Sequence, residues 1–164
     1  MTALRRATWD DLPVITDIYN EAVMTTTATF DLVPKQAAEQ RAWFEKHGDR
    51  HPIFVATDNN AIAGWISLSP WSDRCAYDGT VETSFYVASR ARGQGLGTQL
   101  LAHNLQAART LGYHTVLARI AAGSDASLHL HRKCGFTAVG CLRQVGRKFD
   151  RWLDVHILQL MLKT

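Results

Sequence analysis

Apolar positions along this chain recur with two periods, and the periods divide it into elements. Residues 3–7 read as a short opening strand. Leu12, Ile15, Ile18, Tyr19, Ala22 and Val23 fall at the spacing of one helix face, so residues 10–23 read as an amphipathic helix. Asp10 and Asp11 stand at its amino end, where the helix dipole favours acids. The threonine-rich run from Thr25 to Phe30 is too β-branched to continue that helix and reads as a loop. Pro34 then starts a second helix carried by Ala37, Ala38, Arg41, Trp43 and Phe44. Residues 53–56 and 62–68 flank the turn cluster Asp58-Asn59-Asn60 and predict a hairpin. A loop with Pro70, Trp71 and Tyr77 leads to a strand over 81–87. Glycines at 93–97 open a long helix that ends near Gly112. A strand over 114–121, a helix over 125–133 stopped by Gly135-Phe136, and strands near 136–145 and 152–162 complete the chain. The order β-α-α-β-β-β-α-β-α-β-β predicts an α/β chain of the α+β type, with a mixed sheet covered by helices.

Bulk properties narrow this picture. A length of 164 residues, with no repeat or linker, suits a single domain over 1–164. Hydrophobic residues at 46% and charged residues at 20% supply a core and argue against disorder. Lys and Arg number 18 against 15 acids, a net charge of +3 that suits a small polyanionic ligand but lacks the dense basic face of a nucleic-acid binder. Cys75, Cys134 and Cys141 are odd in number and lack C-x-x-C spacing, so neither a disulfide framework nor a metal site is expected. No leader-like start and no bilayer-length apolar run is present, and a cytoplasmic protein without membrane partners is the expectation.

The chemistry concentrates in Arg90-Ala91-Arg92-Gly93-Gln94-Gly95-Leu96-Gly97-Thr98, between a predicted strand and a predicted helix. Glycines let a backbone turn tightly against a ligand, and the unpaired amides of a first helical turn are donors for a phosphate. Arg90 and Arg92 add positive charge. The glycines run G-x-G-x-G, so the dinucleotide fingerprint G-x-G-x-x-G is not met, and the lysine of a P-loop is missing at Gly97-Thr98-Gln99. A flexible glycine turn with solvated arginines is the plain alternative.

Arg92-Gly93-Gln94-Gly95-Leu96-Gly97 resembles the coenzyme A loop R-x-x-G-x-G/A of GNAT acetyltransferases. The run from Ser127 through His131 and Cys134 to Gly135-Phe136 resembles the last helix and G-F turn of that superfamily. Three further segments resemble one branch, the phosphinothricin and methionine sulfoximine/methionine sulfone N-acetyltransferases. They are Thr25 to Phe30, Gly79 to Val87, and Gln144 to Val155 with its Gly146-Arg147-Lys148-Phe149-Asp150-Arg151-Trp152 core. The resemblance spans almost the whole chain. It implies a GNAT-like domain with a mostly antiparallel sheet and acetyl-CoA as cosubstrate. It also implies direct transfer to the α-amine of a small amino-acid analogue, and a homodimer as in relatives of this branch.

Carried onto this chain, the resemblance implies that Phe85, Tyr86 and Val87 bond the pantetheine arm. Arg92 and residues Gly93, Gln94, Gly95, Leu96, Gly97 and Thr98 would hold the pyrophosphate, with Ser124 and Ser127 among the cofactor contacts. Ser124 stands where many relatives have asparagine, and a serine cannot offer the same amide pair. Ser72, Asp73 and Arg74 match acceptor-pocket positions, Glu82 the general base, and His131 the group nearest the coenzyme sulfur. An ammonium must lose a proton before its nitrogen attacks a thioester. Glu82 lies in an otherwise uncharged strand, where partial desolvation would favour that role, although a strand-end glutamate facing solvent fits the same pattern. His131 is a donor to the departing sulfur or simply a packed helix histidine. Arg74 could fork onto a carboxylate, phosphinate or sulfoximine oxygen, and Phe30, Tyr77 and Trp152 could wall the pocket. Arg147, Lys148, Asp150 and Arg151 mix signs and read as a solvated turn. The competing functions are acetylation of a protein N-terminus or a polyamine, and a non-catalytic CoA-binding sensor.

Overall fold

The computed structural model describes residues 2–162. It contains β1 (Thr2–Arg6), α1 (Leu12–Thr25), α2 (Ala37–Glu45), β2 (Ile53–Asp58), β3 (Ala61–Pro70), β4 (Thr80–Val87), α3 (Leu96–Thr110), β5 (Thr115–Ala121), α4 (Asp125–Lys133), β6 (Thr137–Lys148) and β7 (Arg151–Met161). Short 3-10 turns at Trp9–Asp11, Cys75–Tyr77 and Ser89–Ala91 punctuate the connections. The order matches the expectation element for element. Seven strands form one sheet in the order β1-β2-β3-β4-β5-β7-β6. Its pairs are antiparallel except β4 with β5.

Local chemistry explains the frame. Asn59 and Asn60 take the left-handed conformation (φ 48° and 66°), which a two-residue hairpin turn requires and asparagine tolerates. Ile15 and Ile18 of α1 pack with Val55 and Trp65 on one face of the sheet. Leu96, Leu100, Leu101, Leu105 and Ala108 of α3 pack on the other face with Ile66, Leu68, Val81, Val116 and Leu158. Asn104, fully buried in α3, donates from Nδ2 to Thr83 Oγ1 (2.9 Å) and to the Ser67 carbonyl (3.3 Å), clipping that helix to β3 and β4. Such bonds satisfy a polar group that burial would otherwise penalise.

Several boundaries differ from expectation, two of them for reasons the side chains supply. α1 runs through Thr25 because the hydroxyls of Thr25 and Thr26 donate back to the carbonyls of Glu21 and Ala22 (2.7 and 2.8 Å), which finishes the helix with threonine. α2 starts at Ala37, not at Pro34. Asn20 grips the backbone of Lys35 at both its N–H (2.7 Å) and its carbonyl (3.0 Å), holding that segment against α1. The Gln36 amide then donates to the Glu39 carboxylate (2.8 Å) at the helix entrance.

The turn read as solvated also differs. Lys148 is only 3% exposed, and its Nζ donates to the Thr29 carbonyl (2.8 Å), tying the end of β6 to the loop after α1. The ring of Phe30 lies against Gly146 so closely that a Cβ there would meet it at 2.1 Å.

Asp11 anchors the amino end of α1. Its carboxylate accepts a forked pair from Arg5 (2.6 and 2.8 Å) and the Thr8 amide (2.8 Å). The hydrogen bonds from Arg5 lead in holding this carboxyl down at about 2. A carboxyl depressed in the fold stabilises it above its unfolded value near 4, and that stability is lost as pH falls through about 4 toward 2. Asp11→Asn is expected to lower stability at pH 7 by about 1–2 kcal/mol, discounted because Arg5 is half-exposed. It should also flatten the acid limb of a urea-unfolding series between about pH 4 and 2; an unchanged acid slope in the variant contradicts this anchor.

Candidate active site

β4 and β5 are paired only at Thr80↔Thr115, Val81↔Val116 and Glu82↔Leu117. Beyond that point β4 keeps its pairing with β3 up to Val87, and β5 keeps its pairing with β7 up to Ala121. Each strand therefore follows its outer neighbour, and the sheet splits between them. The facing backbone edges lose their ladder and are left to bond something else. A cleft of about 760 Å³ occupies the split, large enough for a cofactor-sized ligand. Residues 83–87 and 118–121 form its sides, and the start of α3, the inner face of α4 and residues 25–28 close it.

The glycine loop forms one rim. Gly93 and Gly95 have φ of +74° and +80°, with open space where a Cβ would stand. Only glycine takes this conformation without cost, and the open space leaves the backbone approachable. α3 begins at Leu96, so its unpaired first-turn amides face the rim and fit a diphosphate. Arg92 donates from Nε to the Val87 carbonyl (3.1 Å), which joins the loop to the end of β4. Gly97 differs from its loop neighbours. A Cβ there would meet Leu130 Cδ1 at 2.9 Å and the Phe85 ring at 3.1 Å, so this glycine lets α3 pack against α4 and β4.

α4 contributes Ser127 and His131 to the cleft, and Ser124 lines it from the helix's N-cap position. His131 is 3% exposed, and its Nδ1 lies 2.8 Å from the Ser127 carbonyl. A carbonyl only accepts, so the proton is assigned to Nδ1 and Nε2 is left with its lone pair. Burial holds the imidazole below its usual range. The ring stacks on Phe85 (5.6 Å between centroids) and meets the edge of Phe136 (5.1 Å). It is thus a neutral acceptor, and it donates to a sulfur only after taking a proton at Nε2.

At the apex of the split the structure adds a residue that sequence reasoning passed over. Glu82, its side chain 12% exposed, is not the isolated carboxylate expected of an uncharged strand. Arg119 of β5 forks onto it, Nε to Oε1 and Nη2 to Oε2, both 2.7 Å. The guanidinium also lies 5.6 Å from the ring centroid of Trp71. The available signal was a single charge inside the otherwise apolar run Thr115 to Ala121, and its meaning depends on which strand lies beside it.

Of the expected residues, Phe85, Tyr86, Val87, Arg92, Gly93, Gly95, Leu96, Gly97, Ser124, Ser127 and His131 line the cleft. Gln94 and Thr98 belong to the same loop and turn without lining it; Glu82 stands just behind the lining, bonded to Arg119, and Phe30 packs on Gly146 and does not wall the cleft. Ser72, Asp73, Arg74 and Tyr77 sit in the β3–β4 connection outside it. Arg74 is exposed, and its amide donates to Ser72 Oγ at 3.4 Å. Trp152 is 61% exposed, with the guanidinium of Arg147 5.9 Å above its ring; Phe149 and Arg151 of the same hairpin face the cleft instead. A smaller cavity of about 300 Å³ adjoins through Ser84 and Tyr86 and holds Tyr19, Asp31 and Lys35. Burial pushes the Tyr86 phenol up to about 12, so it remains protonated at neutral pH.

Known proteins resemble this chain along nearly its whole length. The chain is 43% identical over 162 residues to an L-methionine sulfoximine/L-methionine sulfone acetyltransferase of Pseudomonas aeruginosa, covering 98% of this chain and 94% of that one. It is 41% identical over 150 residues to a phosphinothricin N-acetyltransferase of Streptomyces coelicolor, with 89% and 88% covered. A GNAT superfamily phosphinothricin acetyltransferase from Sinorhizobium meliloti, solved in complex with AcCoA, superposes with a TM-score of 0.95 at 36% identity, covering 98% and 88%. The model of the Acetyltransferase (GNAT) family matches residues 15–136, from α1 to the phenylalanine that ends the last helix. With the split sheet, the glycine rim and the buried histidine all inside that span, the chain belongs to the GNAT family of acetyltransferases.

Proposed function

We propose that this chain transfers the acetyl group of acetyl-CoA directly to the α-amine of a small amino-acid analogue. Methionine sulfone, methionine sulfoximine and phosphinothricin, the compounds that name its relatives, are the acceptors of choice. One observation carries the reading: the sheet parts just past Glu82, whose carboxylate is bonded to Arg119 in the lining of a cleft whose outer rim suits a diphosphate. The thioester supplies an acetyl carbon open to attack by an amine. Gly93, Gly95 and the first turn of α3 bind the diphosphate, and Arg92 adds positive charge. The unpaired edge of β4 around Phe85, Tyr86 and Val87 offers backbone groups to the pantetheine arm and a donor for the carbonyl oxygen as charge gathers on it. Glu82 takes the proton from the acceptor's ammonium, directly or through a water. His131, with Nε2 free, holds a proton in transit beside the departing sulfur.

Charge discriminates among acceptors. A polyamine calls for an acidic pocket, yet, apart from Arg92 at the diphosphate rim, Arg119 and Arg151 are the charged side chains that line this cleft. That favours an acceptor with a negative group. No described helix is long and apolar enough to cross a membrane. Edge strand β6 exposes Val139, Leu142 and Val145, which supports a homodimer through that side of the sheet.

Glu82→Gln is expected to lower kcat at neutral pH by about 100-fold or more while acetyl-CoA affinity stays unchanged. Thiol release and calorimetry read the two quantities, and matching pH–rate profiles for variant and parent would remove Glu82 from the chemistry. Gly95→Val is expected to abolish calorimetric binding of CoA while circular dichroism stays native, because a β-branched residue resists positive φ. Retained affinity would undo the diphosphate assignment.

A further inference from the structure

We propose that Arg119 reads the acceptor's α-carboxylate, so that the Glu82–Arg119 pair together recognises the zwitterion of an α-amino acid. This deepens the proposed function and rests on it. Arg119 spans the mouth of the split: Glu82 is the last residue of β4 paired to β5, and Arg119 lies two residues beyond its partner Leu117. The guanidinium gives Nε and Nη2 to Glu82, while Nη1 makes no hydrogen bond among the described residues. Its side chain is 55% exposed and lines the cleft, which leaves those remaining donors accessible to an acceptor entering it.

Glu82 is not exhausted by the fork. Each carboxylate oxygen accepts one bond from Arg119, and each keeps a second lone pair that no hydrogen bond among the described residues uses. In an α-amino acid the nitrogen and the carboxyl carbon share one Cα and stand about 2.5 Å apart. A base and a guanidinium in direct contact present the complementary pair at matching scale: ammonium on Glu82, carboxylate on Nη1. The contact with Trp71 and the forked pair of hydrogen bonds to Glu82 hold the guanidinium plane in place, which suits a group that recognises a planar carboxylate.

Other cations suit the role less well. Arg92 is bonded to the Val87 carbonyl and lies 3.9 Å from Glu21. Arg74 is outside the cleft. Arg151 lines the cleft, but it stands on β7 and makes no contact with the base. The pairing also gives a reason for the charge at position 119: the residue that selects the acceptor is bonded to the residue that deprotonates it, so a correctly bound carboxylate sets the ammonium against Glu82.

The test compares two acceptors that differ only in the carboxylate, L-methionine sulfone and 3-(methylsulfonyl)propylamine, by kcat/KM in the parent, Arg119→Gln and Arg119→Lys. Calorimetric acetyl-CoA binding reports that each variant is folded. The expected result is that Arg119→Gln shrinks the preference for the carboxylated acceptor by about 10- to 100-fold, mainly through KM, as loss of a charge-assisted bond predicts. Arg119→Lys should retain part of it, having charge without the fork. Equal proportional loss for both acceptors would assign Arg119 to holding Glu82 alone and overturn the proposal. So would an unchanged preference, or its collapse in Arg151→Gln instead. If the parent acetylates neither compound, the proposed acceptor class itself falls and takes this role with it, an outcome visible before any variant is made.

Discussion

A sheet that pairs for three residues and then comes apart is the constraint on which this molecule turns. β4 and β5 each remain bonded to an outer neighbour, so the parting leaves the rest of the ladder intact. What it exposes are main-chain donors and acceptors on two facing edges, groups that need a partner. Side chains alone would make a cleft whose chemistry drifted with rotamers. Here the recognition surface is backbone, held by strands on one side and by the first turn of a helix on the other.

Holding the split open falls to α3 and α4. Asn104 fixes α3 to β3 and to Thr83, the first residue of β4 beyond its pairing with β5, while Gly97 lets the start of the same helix close on Leu130 and Phe85. His131 completes the wedge, its ring against Phe85 and Phe136 and its Nδ1 on the Ser127 carbonyl. Burial keeps that imidazole neutral. The two titratable groups most relevant to proton transfer thus sit in opposite settings: Glu82 is paired with a cation, and His131 is shielded from charge by aromatic rings. Separating two proton-handling groups by environment is a recurrent way for one site to manage both the entry and the exit of a proton.

Much of this was legible in the residues. The element order followed from periodicity because both helical faces and strand alternation are strong in this chain. The helix over 125–133 was read at the bounds the structure has, since Asp125 opens it and Gly135-Phe136 stops it. The glycine loop was legible because its conformational demand is local: a position at φ near +80° strongly favours glycine wherever the chain lies. Boundaries failed where distant groups intervened. Pro34 is a sound helix starter, but Asn20, fifteen residues upstream of Lys35, holds the next segment extended. Lys148 reads as a solvated turn until Thr29, 119 residues away in sequence, supplies the carbonyl that buries it.

By itself the sequence determined what depends on near neighbours: the periods of helix and strand, the positive-φ glycines, the absence of a P-loop lysine, and the family whose motifs these residues match. The tertiary structure decided which strand edges face one another and therefore what Glu82 touches. Arg119 and Glu82 are 37 positions apart, and no local pattern joins them. Only the parallel pairing of β4 with β5, and its end two residues before Arg119, brings a guanidinium onto the base. A contact made by chain crossing is a property of register, and register is set by the whole sheet and not by either strand alone.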